Sequence, residues 1–230
     1  MQNRYRDRAD AGRVLAAALS QFKGRTDTLV VGLPRGGVPV AAEVSRALGA
    51  PLDVQVVRKI GAPGQKELAC GAIASDGSLV WNERVLFSLG ISQPELRRDK
   101  ERARREATQL EASLRTARTP PISAFAKVAI VVDDGLATGA TMKAALKALL
   151  LQKPHAIVVA VPVAADDTCR AIEEMGYTIV CPKRLPSGEL SSVGEWYDDF
   201  SQVESSTCRA ALEASRLAQA AGGASAPAIS

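Results

Sequence analysis

Asp133 and Asp134 stand side by side at the end of an apolar run, Val128-Ala-Ile-Val-Val, and Gly135-Leu-Ala137-Thr138-Gly139-Ala140-Thr141 follows them. Two adjacent carboxylates repel each other unless a cation or hydrogen-bond donors offset the charge. The loop after them has the opposite character. Its backbone N–H groups, with those of a helix beginning near Thr141, form an anion site suited to a phosphate. The Thr138 and Thr141 hydroxyls add donors. The acids cannot meet that phosphate favourably and suit a neighbouring diol or a hydrated Mg²⁺ instead. The residues alone therefore call for a terminal phosphate beside vicinal hydroxyls, as in a ribose 5-phosphate.

Other phosphate signatures fit less well. A Walker A loop needs Lys and Ser or Thr after its last glycine, and no Lys follows Gly139 directly. A dinucleotide fingerprint needs G-x-G-x-x-G after the first strand, and Gly32-Leu-Pro34-Arg35-Gly36-Gly37 does not match it. That second stretch still has use, because adjacent glycines let a backbone turn sharply and approach an anion closely. A plain glycine turn ahead of a helix that Pro39 can begin is the simpler alternative. Arg58-Lys59 places two cations at the end of the second apolar run. They repel each other unless an anion or acid is near, although an ordinary charged strand end also accounts for them. Gly61-Ala-Pro63-Gly64-Gln65-Lys66-Glu67 reads as a mobile loop.

The apolar strand, the two acids and T-G-x-T together resemble the phosphoribosyl pyrophosphate motif of the type I phosphoribosyltransferases. The resemblance runs from about Thr28 to Val161. The P-R-G-G, R-K-x-G-A-P and D-D-G-x-A-T-G-A-T elements look like those of a group of bacterial predicted phosphoribosyltransferases with no settled acceptor. The resemblance implies that Asp133 and Asp134 hold the ribose 2- and 3-hydroxyls and meet Mg²⁺ only indirectly, through water and those hydroxyls. It implies that Gly135 and Ala137–Thr141, including Gly139 and Ala140, cradle the 5-phosphate. Arg35, Gly36 and Gly37 would bind pyrophosphate, on a loop that in family members often carries a strained peptide bond. Arg58 and Lys59 would join them, and Lys66 could join from a loop that closes over the site. The 6-oxopurine enzymes carry Asp where this chain has Ala137, which disfavours hypoxanthine and guanine as acceptors. The implied activity is transfer of ribose 5-phosphate to a nitrogen base, with phosphoribosyl pyrophosphate and an unknown base as small-molecule partners. The alternative is a sensor that binds phosphoribosyl pyrophosphate or a nucleotide without turnover. A homodimer in the cytoplasm is the corresponding expectation.

These residues need a scaffold. Short apolar runs, Thr28–Leu33, Leu52–Val57, Val128–Val132, Ala156–Val161 and a weaker Thr178–Cys181, read as buried strands. Helical patterns at Ala9–Phe22, Val38–Leu48, Thr141–Leu151 and Asp166–Met175 alternate with them. That alternation predicts an α/β fold of type I phosphoribosyltransferase kind, a mostly parallel central sheet of about five strands flanked by helices. Ala69–Ala74 and Leu79–Trp81 flank Ser75-Asp76-Gly77-Ser78 and read as a β-hairpin.

Pro94–Arg118 carries Leu96, Ala103, Ala107, Leu110, Leu114 and Ala117 on one stripe among charges, with Glu101/Arg105 and Glu111/Arg115 at i,i+4. It reads as a helical insertion at about 92–120, solvated outside its stripe or serving as a basic cap. Gly194-Glu195-Trp196-Tyr197-Asp198-Asp199-Phe200 suggests a small C-terminal hood at about 182–200. Its aromatics either stack on a base or anchor the segment. A single domain over 1–220 with a disordered tail at 221–230 completes the reading.

Composition narrows the classes. With 47% apolar residues in 230, a packed core is expected and wholesale disorder is not. The net charge of +4 is local: 82–127 holds ten Lys/Arg against six Asp/Glu, too small an excess to indicate nucleic acid. No apolar run reaches the ~18 residues of a membrane span, and Met1–Asp10 has no apolar core of a secretory signal. The four cysteines show no C-x-x-C spacing and His155 is the sole imidazole, so free thiols are expected rather than a zinc site.

Overall fold

The computed structural model describes residues 4–223. In chain order the elements are α1 (Arg8–Ala18), β1 (Thr28–Gly32), α2 (Gly37–Leu48), β2 (Leu52–Val54), β3 (Val57–Ala62), β4 (Gln65–Ala74) and β5 (Leu79–Trp81). There follow α3 (Glu83–Leu89), α4 (Arg97–Leu114), β6 (Val128–Val132), α5 (Ala140–Leu150) and β7 (Ala156–Ala160). The chain continues through β8 (Val163–Ala165), α6 (Asp166–Glu173), β9 (Thr178–Val180), β10 (Lys183–Leu185) and α7 (Ser205–Gly223).

The central sheet has five parallel strands in the order β2-β1-β6-β7-β9. β1 and β6 are buried along their whole length, as continuous Val/Ile/Leu runs require when helices cover both faces. Alternate residues feed two cores. Val30, Ile130, Val132 and Val158 pack against α1, α2 and α7 through Leu15, Val38, Val44 and Leu212. Leu29, Val31, Val131 and Val159 pack against α5 and α6 through Met142, Leu146 and Ile172. The α/β architecture read from the sequence is the one observed.

The second apolar run departs from expectation. Leu52–Val57 is not one strand. β2 ends at Val54 as a parallel edge strand, and β3 starts at Val57 in a separate antiparallel sheet, β3-β4-β5. Buried Gln55 and Val56 make the break, and the alternation of apolar with polar residues from Leu52 to Val56 runs through it unchanged. Arg58 and Lys59 therefore lie near the start of β3, opposite Ile73 and Ala72, and not at the carboxyl end of a central strand. Gly61–Glu67 is likewise no open loop. Ala62 pairs with Gln65 across Pro63-Gly64, with Gly64 at φ 74°, so the segment is the turn of the β3–β4 hairpin. The side chains of Lys66 and Glu67 lie outside the described residues.

The insertion is helical over most of the stretch read, but α4 ends at Leu114, so 115–118 are not helical and Ala117 is exposed rather than on the packed stripe. A capping box at Ser92/Glu95 starts a 3₁₀ turn, Gln93–Leu96, which runs into α4. Leu96 and Ala103 pack on the β3–β5 sheet, and Ala107 and Leu114 on the central core. Glu111 accepts from Arg115 at 2.6 Å, whereas Glu101 pairs with Arg104 at 3.3 Å rather than with Arg105. β8 and β10 form a two-stranded parallel sheet under the hood. The expected tail is corrected at its start, since 221–223 complete α7; 224–230 lie outside the described residues.

Asp53 on β2, 3% exposed, ties the insertion to the sheet. It accepts from Arg115 Nη1 at 2.7 Å and from the backbone N–H of Ile122, and Arg216 of α7 lies 3.9 Å away. Removing one partner of a buried pair leaves the other charge uncompensated. Asp53→Ala is expected to lower stability by about 3–5 kcal/mol in urea denaturation, and Asp53→Ala with Arg115→Met by clearly less. Equal losses in the two variants would show that the ion pair is not the link.

Candidate functional site

The site begins where β1 and β6 end together. Their register pairs Gly32 with Val132, and Leu33 N–H donates to Val132 O at 2.8 Å. The chain leaves β1 as Leu33-Pro34-Arg35-Gly36-Gly37 and leaves β6 as Asp133-Asp134-Gly135, so the two loops emerge side by side at the carboxyl edge of the sheet. This is where open α/β sheets place ligands. The contact is too close for side chains. A Cβ on Gly37 would stand 2.6 Å from Val132 O and 2.8 Å from Asp133 Cα, and one on Gly36 would overlap the Asp134 carboxylate. The Pro34–Arg35 peptide is cis.

The loop from Gly135 to Thr141 turns its carbonyls into the protein. Tyr197 Oη donates to Asp134 O, Ala165 N–H to Leu136 O at 3.2 Å, and Thr168 Oγ1 to Ala137 O. Gly139, at φ 68°, precedes α5, and no side chain caps the helix. The first N–H groups of a helix have no intrahelical acceptor, so this end presents donors and a positive dipole end. Asp133, the stretch 135–142 and Val193 of the hood line a common cavity of about 200 Å³.

Of the two acids, Asp133 lines that cavity, and Asp134 lies beside it against Gly36. Asp133 Oδ1 accepts from Asp134 N–H at 2.9 Å. Burial, and then the neighbouring Asp134 charge, pushes the Asp133 carboxyl well above the usual range. Burial also raises Asp134, opposed chiefly by a hydrogen bond from Arg8. Arg8 Nε meets Asp134 Oδ2 at 2.8 Å, and the two side chains are 11% and 15% exposed.

A phosphoribosyl transferase domain model matches residues 2–195. The chain belongs to the phosphoribosyl transferase domain family. A provisionally named phosphoribosyl transferase of Mycobacterium tuberculosis strain H37Rv is 40% identical over 211 residues, covering 86% of this chain and 44% of that protein. The same figures hold for its counterpart in strain CDC 1551. The chain thus spans less than half the length of these curated relatives. The crystal structure of the protein TT1426 from Thermus thermophilus superposes with a TM-score of 0.82 at 38% identity, covering 92% of this chain and 98% of that one.

Within this phosphoribosyl transferase domain, the structure brings together Asp133, Asp134, Gly36, Gly37, Gly135 and Ala137–Thr141, all read as site residues from the sequence, and adds Leu136 between them. Arg35 belongs to the same loop, its carbonyl accepting from Val38 N–H at 3.2 Å. Arg58 is placed differently. Its Nη1 donates to Val57 O at 3.3 Å, and its Nε lies 4.0 Å from Glu106 of α4. Lys59 follows it on β3. Two of the hood's aromatics anchor it, Trp196 and Tyr197 being buried with Tyr5, while Phe200 stays exposed with Arg8 over its ring.

Sequence reading missed Arg8, Thr168 and Tyr197 as supports of the loop. The Arg/Asp alternation at the start of α1 looks like a solvated face. Nothing local ties Arg8 to a residue 126 positions away. Tyr197 is held neutral as a donor, because burial pushes its phenol up.

Burying Asp133 opposes folding. Its native pKa lies above the free value of 3.8, so as pH rises through that value the unfolded chain ionises first and stability falls until native Asp133 ionises too. Asp133→Asn should therefore raise Tm at pH 7 relative to the native chain, with the difference shrinking toward zero below about pH 4. A Tm at pH 7 no higher than that of the native chain contradicts the assignment of a desolvated carboxylate.

Proposed function

We propose that this domain transfers the 5-phosphoribosyl group from phosphoribosyl pyrophosphate to a nitrogen acceptor and releases pyrophosphate. The observation that carries this reading is the convergence, at one sheet edge, of an uncapped helix start, a half-buried acid pair and a glycine loop pressed against those acids. The N–H groups of 138–141 take the 5-phosphate. Asp133 and Asp134 accept hydrogen bonds from the ribose 2- and 3-hydroxyls. Arg35 and the Gly36 and Gly37 amides stabilise charge on the departing pyrophosphate. The C1–O bond to pyrophosphate breaks, the C1–N bond forms, and the acceptor nitrogen gives up its proton. Because glycosyl transfer passes through oxocarbenium character, the residues' task is positioning and charge stabilisation.

Among the described residues no three metal-ligating side chains converge. Two carboxylates beside a diol site fit Mg²⁺ carried mainly by substrate oxygens and water, with Asp133 and Asp134 as its nearest protein acids. Bound there, Mg²⁺ supplies charge neutralisation of the pyrophosphate. Ala137 brings no carboxylate to the position where 6-oxopurine enzymes carry one, so an acceptor other than hypoxanthine or guanine is part of the reading. So is a homodimer.

A sensor that binds the same ligand without turnover is the second reading. It is favoured by one observation, the placement of Arg58 beside Glu106 of α4. Turnover then depends on Arg35 and the glycine amides.

With Mg²⁺ present, calorimetry is expected to show phosphoribosyl pyrophosphate binding in the ~1 μM to 1 mM range usual for enzyme substrates. Asp133→Asn with Asp134→Asn should weaken it by about 100-fold, from two lost charge-assisted hydrogen bonds. Unchanged binding would remove the ribose assignment. Pyrophosphate release over a panel of bases separates enzyme from sensor. Hypoxanthine and guanine are expected to give none; turnover of either at a kcat/KM above about 10⁴ M⁻¹s⁻¹ would show that another group replaces the missing acid.

A further inference from the structure

We propose that Arg8 is a positioning residue for the acid pair: it acts through Asp134 to set the affinity for phosphoribosyl pyrophosphate without touching that ligand. The proposal rests on the reading of Asp133 and Asp134 as ribose-binding acids.

Arg8 is the first residue of α1, whose start is capped by Asp7, with Asp7 Oδ1 accepting from Asp10 N–H at 2.7 Å. Its guanidinium makes three contacts at once. Nε donates to Asp134 Oδ2 at 2.8 Å, Nη1 donates to Ser201 O at 2.8 Å, and the group stands 3.9 Å from the centroid of the Phe200 ring. A guanidinium presents donors in a fixed planar fork, so two anchored edges determine the third. Ser201 and Phe200 are anchored in turn. Tyr5 N–H donates to Trp196 O at 2.9 Å, Asp198 N–H to Tyr5 O at 2.8 Å and Asp199 N–H to Arg6 O at 2.9 Å, so the segments 5–6 and 196–199 pair directly. Tyr5 Oη donates to Pro162 O at 2.9 Å. The opposite side of the same acidic residue is held by Tyr197 Oη on Asp134 O. Both ends of the chain therefore hold Asp134, one by its carboxylate and the other by its carbonyl.

Two consequences follow for binding. With Oδ2 engaged by Arg8 and abutting Gly36, Asp134 is held in one orientation and its remaining lone pairs stay aimed for a ligand. The guanidinium also offsets one of two adjacent negative charges. A polyanionic substrate approaching an uncompensated pair of carboxylates would meet repulsion from both in a water-poor site, where Coulomb forces are weakly screened.

The test is a double-mutant cycle on the full chain, read as the Kd for phosphoribosyl pyrophosphate with Mg²⁺ by calorimetry, with thermal melts confirming that each variant is folded. Arg8→Met is expected to weaken binding by at least about tenfold, the size of a lost charge-assisted hydrogen bond. Arg8→Lys, which keeps the charge and loses the fork, should fall between Arg8→Met and the native chain. Arg8→Met combined with Asp134→Asn should bind no more than about twofold worse than the weaker single variant, because both act on one contact. Losses that multiply, or unchanged binding in Arg8→Met, overturn the proposal. If Arg8→Met does not fold, Arg8→Lys decides, and native affinity in that variant is then the overturning result. A native chain that fails to bind phosphoribosyl pyrophosphate removes the underlying reading and this proposal with it. Native binding with an indifferent Arg8 removes the proposal alone.

Discussion

The pairing of β1 with β6 in register is the constraint on which the rest of the molecule depends. Because Gly32 lies opposite Val132, the loops that follow the two strands leave the sheet at the same height. A register slip of one residue would reverse the faces of the shifted strand and bury the wrong set of its side chains. The two cores on either side of the sheet therefore enforce the alignment of the two loops, each of which adds one buried leucine, Leu33 or Leu136, to the core. Once the loops are level, they must touch, and only backbone fits between them. That is the physical reason for glycine at 36 and 37: a methyl group at either position would displace an acid or the end of β6.

This closeness opposes folding. Two carboxylates are desolvated side by side, and burial raises the pKa of each. The fold tolerates this through donors: Asp134 N–H on Asp133, Arg8 on Asp134, and Tyr197 on the Asp134 carbonyl. Sites that bind charged or hydroxyl-rich ligands commonly carry such strain, and stability elsewhere offsets it. Here the offset comes from continuous apolar strands and from helices on both faces.

The scaffold was largely legible in the sequence, and the supports of the site were not. Val128–Val132 followed by two acids and T-G-x-T is a local pattern, and it came out where expected, on a central strand with its acids at the carboxyl edge. Leu52–Val57 misled because the strand-like alternation Leu52-Asp53-Val54-Gln55-Val56 runs through the break at Gln55 and Val56. Chain direction changes there without any glycine or proline to mark it, and the misplacement of Arg58 and Lys59 follows from it. Pro63-Gly64 signalled a turn correctly, but a turn between paired strands and a turn in an open loop share the same residues. α7 carries Cys208 and Leu212 as its buried contacts among alanines and polar residues, a pattern too thin to stand out. Arg8, Tyr5 and Asp53 act over separations of more than sixty residues. The partners of Arg8 and Tyr5 depend on how the N-terminal segment docks, and those of Asp53 on how the insertion lies over the sheet, which no local pattern encodes.

The docking of residues 5–8 against 196–201 also divides the hood into parts with different freedom. Trp196 and Tyr197 are fixed among Tyr5, Leu185 and Val163, and Tyr197 reaches the carbonyl of Asp134. A change there would move Asp134. The stretch before it is less constrained at its start, where Pro186, Ser187, Gly188 and Glu189 are exposed. Its end is not. Leu190 and Val193 pack against the same aromatic cluster, and Val193 stands so close to the loop that a side chain at Gly135 would overlap it. Gly194 O accepts from Tyr197 N–H at 3.2 Å, and a side chain at Gly194 would meet the Phe200 ring. Residues 186–189 can therefore change shape without breaking the contacts that hold the acid pair, whereas 193–201 cannot.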